Sequence, residues 1–552
     1  MALHDWIHVG SLTALLFSLT LAPAAGAQVF FVDDPIQKDP DRVPLDREPE
    51  EYPVSDLFNA LDVTIRTPGH ADGPAPNVNT LGDVPASSWY EPRHYARPMT
   101  PAELARGPNT TGGPTGEMWT VVSIKEEGVT PGLTILDGRG LRYMLKFDGK
   151  KYPAMASAAE AITTKIFYAL GYHVPENYIT HFRPEQLVPD TAEGIRQSDI
   201  AELIGELTTY GEGRHRALAS LFLNGVPIGP FTYYGRRSDD PNDLYPHEAR
   251  RELRGMRLAA AWTDHFDSRA QNSLDMIVER EDGTGRYVRH HLIDFGTTLG
   301  GGALGPKRLW YGAEYAFELD AILARTVTLG IARSSWASHS FPDIPHVGFF
   351  DAEQFDPVGW KPGFPNPAFR RMDARDGFWM AKQIARFDDA GIEAIVRSAE
   401  YPDEAATRHV TETLAERRDQ IADAYLTLGG GIDAFETKKT PGGTVLTFRE
   451  LLPEKTGNSR TVAWHRFDNA FDAEGGPAVG PSFKEEEIED NAVAVPDHSH
   501  EFMVAVIKTP GYGATRVFLR KRNPTPASGE ATFEVVGIQR RSSDEHFKPG
   551  WG

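Results

Sequence analysis

Two short polar clusters, and what separates them, constrain this chain more than any other feature. His265-Phe266-Asp267-Ser268-Arg269-Ala270-Gln271-Asn272 is followed further on by Leu292-Ile293-Asp294-Phe295-Gly296. Between them, Leu274 to Val278 and Tyr287 to Ile293 read as strands joined by the turn Glu281-Asp282-Gly283-Thr284-Gly285, and Asp-Gly between apolar runs signals a hairpin. A hairpin brings the chain back to where it left, so the two clusters are predicted to lie side by side. Upstream, Pro246 opens a predicted helix with Glu248 and Glu252 in its early turns and Leu253, Met256 and Ala260 on one face, ending near Trp262. The order helix, polar loop, hairpin, polar loop is what the fold has to accommodate.

A second block precedes it. Trp119 to Ile124, Leu133 to Leu136 and Leu141 to Phe147 read as strands, the last two joined by Asp137-Gly138-Arg139-Gly140. A helix follows from Tyr152-Pro153 to Leu170, with an apolar stripe of Met155, Ala159, Ile162, Ile166 and Leu170, and Gly171 stops it. Further strands are predicted at Tyr178 to Phe182 and Ala217 to Leu223. Beyond Asp294 the chain reads as mostly helical to about Leu428, with helices at Phe378 to Phe387, Ala390 to Ser398 and Asp403 to Tyr425. From Gly442 onward strand patterns return.

With 552 residues and 40% hydrophobic content, the chain is long enough for more than one core. Lys and Arg total 57 against 78 Asp and Glu, a formal charge of −21, which repels nucleic acid and anionic membrane surfaces. No cysteine is present, so disulfides, thiol nucleophiles and Cys-ligated zinc are excluded. The apolar run Ser11 to Ala22, followed by Pro23-Ala24-Ala25-Gly26-Ala27, has the form of a secretory signal with Ala25 and Ala27 at the A-x-A positions. It predicts cleavage after Ala27 and a secreted or periplasmic location. No later stretch approaches the roughly 20 apolar residues of a membrane helix, so no span is expected in the mature chain. Asp33 to about Pro114, rich in Pro, Asp and Asn, reads as an irregular extension wrapping a neighbouring domain through Trp89, Tyr90, Tyr95 and Leu104.

The residue types in the two clusters suit phosphoryl transfer. Negative charge spreads over the oxygens of a phosphoryl group in flight, and hard Mg²⁺ is held by carboxylate and amide oxygens. Asp294 and Asn272 supply such oxygens, and Asp267 is a carboxylate able to orient an acceptor hydroxyl and take its proton. His265-x-Asp267-x-x-x-x-Asn272 and Asp294-Phe295-Gly296 resemble the catalytic and metal-binding loops of the protein-kinase superfamily, with Phe266 where that family usually has Arg. The resemblance runs from about Glu117 to Leu428. It is similar in character to the divergent HipA-type, spore-coat CotH-type and phosphoinositide-type kinases, because Glu127-Gly128-Val129-Thr130-Pro131-Gly132 stands in place of G-x-G-x-x-G.

What the resemblance implies is an α+β chain with a two-lobed kinase-like fold, its N-lobe β-rich and its C-lobe helical. Together with the other segments it gives a signal peptide over 1–27, an irregular N-terminal extension over 28–115, an N-lobe over 116–235, a C-lobe over 236–435 and an all-β domain over 436–552. Lys146, in the third strand, is expected on the nucleotide phosphates, Glu160 as its ion-pair partner, and Gly128 and Gly132 as backbone donors to phosphate. Asp267 is the expected base, and Asn272 with Asp294 the expected Mg²⁺ ligands. ATP and Mg are then the cofactors, and the acceptor is an unassigned protein or small-molecule hydroxyl. Kinase-like folds also transfer AMP, and an exported compartment is poor in ATP. Two further readings therefore stand beside the first: a non-catalytic kinase-fold envelope scaffold, and an exported metal-dependent hydrolase. His290-His291 and His498-Ser499-His500 are weaker candidates for metal ligation, since neighbours on a strand point to opposite faces and one of the first pair is expected at the surface.

Overall fold

The computed structural model describes residues 27–51, 73–125, 131–302, 304–315, 340–456, 459–473, 476–488, 490–497, 499–522 and 531–541. Thr100 caps the short helix α1 (Pro101–Arg106) reciprocally with Glu103, whose carboxylate accepts from the Thr100 N–H at 2.8 Å. Strands β1 (Trp119–Ile124), β2 (Gly132–Leu136) and β3 (Arg142–Lys146) then pair antiparallel in sequence order. Asp137 makes the turn into β3: its Oδ1 accepts from the N–H groups of Arg139 and Leu141, each at 2.9 Å. Helix α2 (Met155–Leu170) stops at Gly171, whose φ of 112° and whose closeness to the Tyr90 ring, 2.2 Å from any added Cβ, both require glycine.

Strands β4 (Asn177–Phe182), β5 (Leu187–Pro189), β6 (Thr209–Tyr210) and β7 (Arg214–Leu221) complete a sheet of spatial order β4-β7-β3-β2-β1-β5, with β6 on β7. Its two faces serve different cores, as alternation along β7 makes plain. Ala217 and Ala219 join Ile200 and Ile204 of helix α3 (Gln197–Gly205), whereas Leu218 joins Ile162 and Ile166 of α2.

A second, three-stranded sheet holds β8 (Val226–Pro227), β9 (Ser273–Glu279) and β10 (Arg286–Leu292). Before it, helix α4 (Arg251–Thr263) is shorter than expected. His247–Ala249 forms a separate 3-10 turn and Arg250 is extended, because Glu248 is engaged elsewhere: its carboxylate accepts from the Gly235 N–H at 2.7 Å and its carbonyl from Arg254 Nε at 3.0 Å. After Gly296 come the two-residue strands β11 (Gly301–Gly302) and β12 (Gly305–Pro306). Residues 340–366 are irregular rather than helical as the sequence predicted; Pro342, Pro345, Pro357, Pro362 and Pro365 each remove an N–H a helix needs. Helices α5 (Pro367–Arg370), α6 (Ala374–Ile384), α7 (Asp389–Arg397) and α8 (Glu404–Tyr425) follow. Each is N-capped by a side chain, from Asn366, Asp373, Asp388 and Asp403. They bury Trp262, Phe387, Ile395 and Leu414 in one core with α2 and α4, and Trp89, Tyr90 and Leu104 of the extension share it.

The remaining strands are β13 (Ile432–Thr440), β14 (Gly443–Glu450), β15 (Arg460–Phe471), β16 (Pro477–Ile488), β17 (Ala492–Ala494), β18 (Phe502–Thr509), β19 (Gly513–Arg522) and β20 (Thr532–Arg541), with helix α9 (Pro453–Thr456) between β14 and β15. They form a sheet β13-β14-β17 and a sheet β16-β15-β18-β19-β20. This β region begins at Ile432, inside the 236–435 span expected as C-lobe and ahead of Gly442, where strand patterns were expected to start. A buried ionic knot ties it to the rest. Asp433 accepts from Lys382 of α6 at 2.9 Å, from Tyr95 of the extension and from Arg540 of β20, and Lys382 also reaches Asp83 at 2.6 Å. Among the described residues no helix is long and apolar enough to cross a membrane; the predicted signal segment, up to residue 26, lies outside them.

Candidate active site

Lys146 is the last residue of β3, and the sheet directs it away from the apolar face that holds Leu145. Its Nζ donates to both carboxylate oxygens of Glu160 on α2, at 2.8 and 3.0 Å, and to Oδ1 of Asp294 at 3.0 Å. The side chains differ sharply in exposure, 3% for Glu160, 21% for Lys146 and 57% for Asp294. Glu160 is thus a buried anchor, Lys146 a cation at the wall and Asp294 an acid facing outward. Two carboxylates share one ammonium in contact, with Lys125 acting from farther off.

The protonation equilibria follow from that imbalance. Burial opposes charge on Lys146, but Glu160 and Asp294 outweigh it and hold the ammonium above the usual lysine range. Lys146 holds the Asp294 carboxyl below its usual value. Burial pushes Glu160 up, and neighbouring Asp294 adds to it against the pull of Lys146. At neutral pH the ammonium and the Asp294 carboxylate are both charged.

What keeps α2 in register with Lys146 is the second polar loop. Phe295, fully buried, packs on Phe167 of α2 with ring centroids 4.9 Å apart and on His265 at 5.4 Å. Two residues past Gly296, Thr298 Oγ1 lies 2.8 Å from Thr163 Oγ1 of the same helix. A Cβ on Gly296 would stand 3.5 Å from the Glu160 carboxylate, so this loop runs directly against the ion pair. Asp294 itself has φ 60°, a left-handed conformation that aspartate tolerates better than most residues.

The hairpin joins the two loops. β9 and β10 pair in continuous register from Ser273↔Leu292 to Glu279↔Arg286, and the Ile293 N–H donates to the Asn272 carbonyl at 3.0 Å. Asn272 Nδ2 donates to the Asp267 carbonyl at 2.7 Å and to its Oδ2 at 3.0 Å, and Arg269 Nε stands 2.8 Å from Asp267 Oδ1. With the nitrogen of Asn272 on Asp267, its amide oxygen remains as a donor for a metal. The donor set of Asn272 and Asp294 is hard oxygen throughout and suits magnesium. Among the described residues no group of three or more His, Asp or Glu side chains is placed to hold a metal on its own. Burial lowers His265 to about 4, so its ring is neutral at physiological pH and serves as packing between Phe295 and Phe167.

Lys146, Glu160 and Asp294 meet in one cluster, and Asp267, Asn272 and Arg269 in another, bridged by the hairpin. Gly128 lies outside the described residues. Gly132 pairs with Lys146 in the ladder, where an added Cβ would come within 2.8 Å of the Leu145 carbonyl, so strand packing is what requires glycine there. His290 and His291 are both buried, correcting the expected surface position of one. His290 Nδ1 donates to the Asp275 carboxylate at 2.6 Å and the ring stacks on Trp89 at 3.5 Å, because the extension covers the face that an isolated hairpin would expose. His498 lies outside the described residues.

Arg269 was not singled out by sequence, although a cation two residues after Asp267 was there to be noticed. Nor was the buried pair Lys307 and Asp264, 2.5 Å apart, or the flat stack of Phe266 on Tyr311 at 4.2 Å, which together hold the chain beyond Gly296 against the first loop. No family model, no curated protein and no solved structure matches the chain.

Proposed function

We propose that this chain is an exported ATP- and magnesium-dependent phosphotransferase with a two-lobed kinase-like fold, acting on a hydroxyl acceptor. The observation that carries the reading is the Lys146, Glu160 and Asp294 cluster. A buried carboxylate holds an ammonium at the end of a central strand, and an outward-facing carboxylate stands within 3.0 Å of it. That is an arrangement for an anionic ligand that arrives with a cation.

In this reading Lys146 binds phosphate oxygens of the nucleotide while Glu160 keeps its ammonium in place. Asp294 and the amide oxygen of Asn272 would hold magnesium, which when bound neutralises charge on the phosphates. Asp267 receives the proton of the acceptor hydroxyl as that oxygen bonds to the γ-phosphorus and the bond to the β-phosphate oxygen breaks, leaving ADP. Asn272 and Arg269 hold the Asp267 carboxylate from both oxygens, so its direction is fixed before substrate arrives. Arg269, one-third exposed, is also placed to move onto a phosphate once that charge is present.

Asp267→Asn tests the division of labour. It keeps the shape and removes the proton acceptor, so transfer from labelled ATP to a generic acceptor mixture falls by about 10²-fold or more while ATP affinity stays within about threefold. Equal loss of affinity and transfer would remove Asp267 from the role of base.

A further inference from the structure

Away from the Lys146 cluster, a cavity of about 660 Å³ opens behind the segment Phe222 to Gly225, which leads from β7 of the large sheet to β8 of the hairpin sheet. That volume is in the range of small-molecule sites. Its walls come from the extension, the end of α2, the start of β4, and β9 with β10. Three arginines, Arg93, Arg286 and Arg289, line it beside two glutamates in a chain whose net charge is −21.

Arg93, from the extension, lies with its guanidinium 4.1 Å over the Tyr168 ring, and Nη1 donates to the carbonyls of Tyr168 and Tyr172 at 2.8 and 2.9 Å. Arg289, from β10, donates through Nη2 to the Tyr287 hydroxyl. Among the described residues neither guanidinium has a carboxylate partner, and Nε and Nη2 of Arg93 have no hydrogen bond. Two carboxylates, Glu176 and Glu279, also line the cavity, and neither forms an ion pair with these guanidinium groups. Glu176 accepts from Thr110, Thr111 and Tyr178, and Arg286 has its own acid in Glu48 at 2.9 Å. Glu279 lines the mouth, and Glu91 acts on Arg93 only from a distance.

Between the arginines stand His173 and His291, ring centroids 5.8 Å apart. Burial lowers His173 well below the usual range, with His291, Arg93 and Arg289 adding to it. Burial, then Arg289 and His290, lowers His291 to about 3 against the weaker pull of Asp275. Both rings are therefore neutral at physiological pH, pressed by the same positive charge that leaves two guanidinium groups unneutralised.

We propose that this cavity is a second ligand site, for a phosphate-class oxyanion of two or more negative charges, bound by Arg93 and Arg289. Planar guanidinium groups with open N–H edges match such oxyanions in geometry and charge. An anion there also offsets the positive charge that Arg93 and Arg289 place on His173 and that Arg289 places on His291, the part of their lowering that comes after burial. The ligand is either a free phosphate anion or the phosphate of an esterified small molecule.

Calorimetry on the full chain with inorganic pyrophosphate and, separately, glycerol phosphate distinguishes those sources by which binds tighter. The expected result is one site per chain, weakened about a hundredfold or more in Arg93→Gln/Arg289→Gln, since each charged hydrogen bond lost is worth about tenfold. Arg289→Gln alone removes a part-exposed side chain and one bond to Tyr287, so it leaves the fold intact and weakens binding about tenfold. Absence of binding by either phosphate probe to the wild type, or equal affinity in wild type and Arg289→Gln, overturns the proposal.

Discussion

Lys146→Met is expected to destabilise the protein by about 3–5 kcal/mol at pH 8 and by much less at pH 5. The variant leaves Glu160 buried beside Asp294 without its cation. Glu160 then has two options, an unpaired buried charge or a bound proton, and burial already pushes its carboxyl up in the wild type. A carboxyl whose folded pKa is raised binds its proton more tightly folded than unfolded, so the penalty is absent below the unfolded value of about 4.3. Above that it grows by about 1.4 kcal/mol per pH unit until the folded pKa is passed. Urea denaturation at the two pH values checks this, and Lys146→Met/Glu160→Gln should remove the pH-dependent part. A deficit that is the same at both pH values contradicts the pairing.

Asp433→Ala is expected to cost about 3–5 kcal/mol for a related reason with the charges reversed. Burial opposes the Asp433 carboxylate, but Lys382 and Arg540 hold it well below the usual range, so it is charged in the native protein. Removing it leaves two buried cations, Lys382 and Arg540, facing each other, with part-exposed Asp83 as the remaining acid of the group. Tyr95 loses its acceptor as well. Because these residues come from the extension, α6 and the β region, the loss loosens the joint among all three. Proteolysis near Ile432 should accelerate along with the drop in stability. A change under about 1 kcal/mol by chemical denaturation would mean the knot is solvated rather than buried.

How much of this was legible before the structure depends on how local each signal was. The hairpin between Asn272 and Asp294 was readable because its turn and its alternation are set by neighbours in sequence. Lys146 facing Glu160 was readable through the family resemblance, which expects a lysine in the third strand and its partner on the helix that follows, and a lysine in an apolar strand needs such a partner. The helix from Pro246 was overextended, because only the fold supplies Gly235 to capture Glu248. The irregular course of residues 340–366 was misread as helical although its prolines were in view. His290 and His291 were judged as if the hairpin had an open face, and only the packing of Trp89 on His290 closes it. The Asp433 knot joins residues hundreds of positions apart and leaves no local trace. The same holds for the basic cavity, where Arg93 and Arg289 meet only through tertiary packing.

The most direct test of the proposed nucleotide site is calorimetric titration of the chain from Gln28 onward with ATP, with and without magnesium, beside Asp294→Ala. Asp294 is 57% exposed at the wall of the site, so its removal leaves the fold standing and takes away one oxygen donor and one partner of Lys146. The account predicts binding with a Kd of about 1 mM or tighter that requires magnesium and weakens about tenfold or more in the variant. Absence of ATP binding by the folded wild type, or binding indifferent to magnesium and to Asp294, would contradict it.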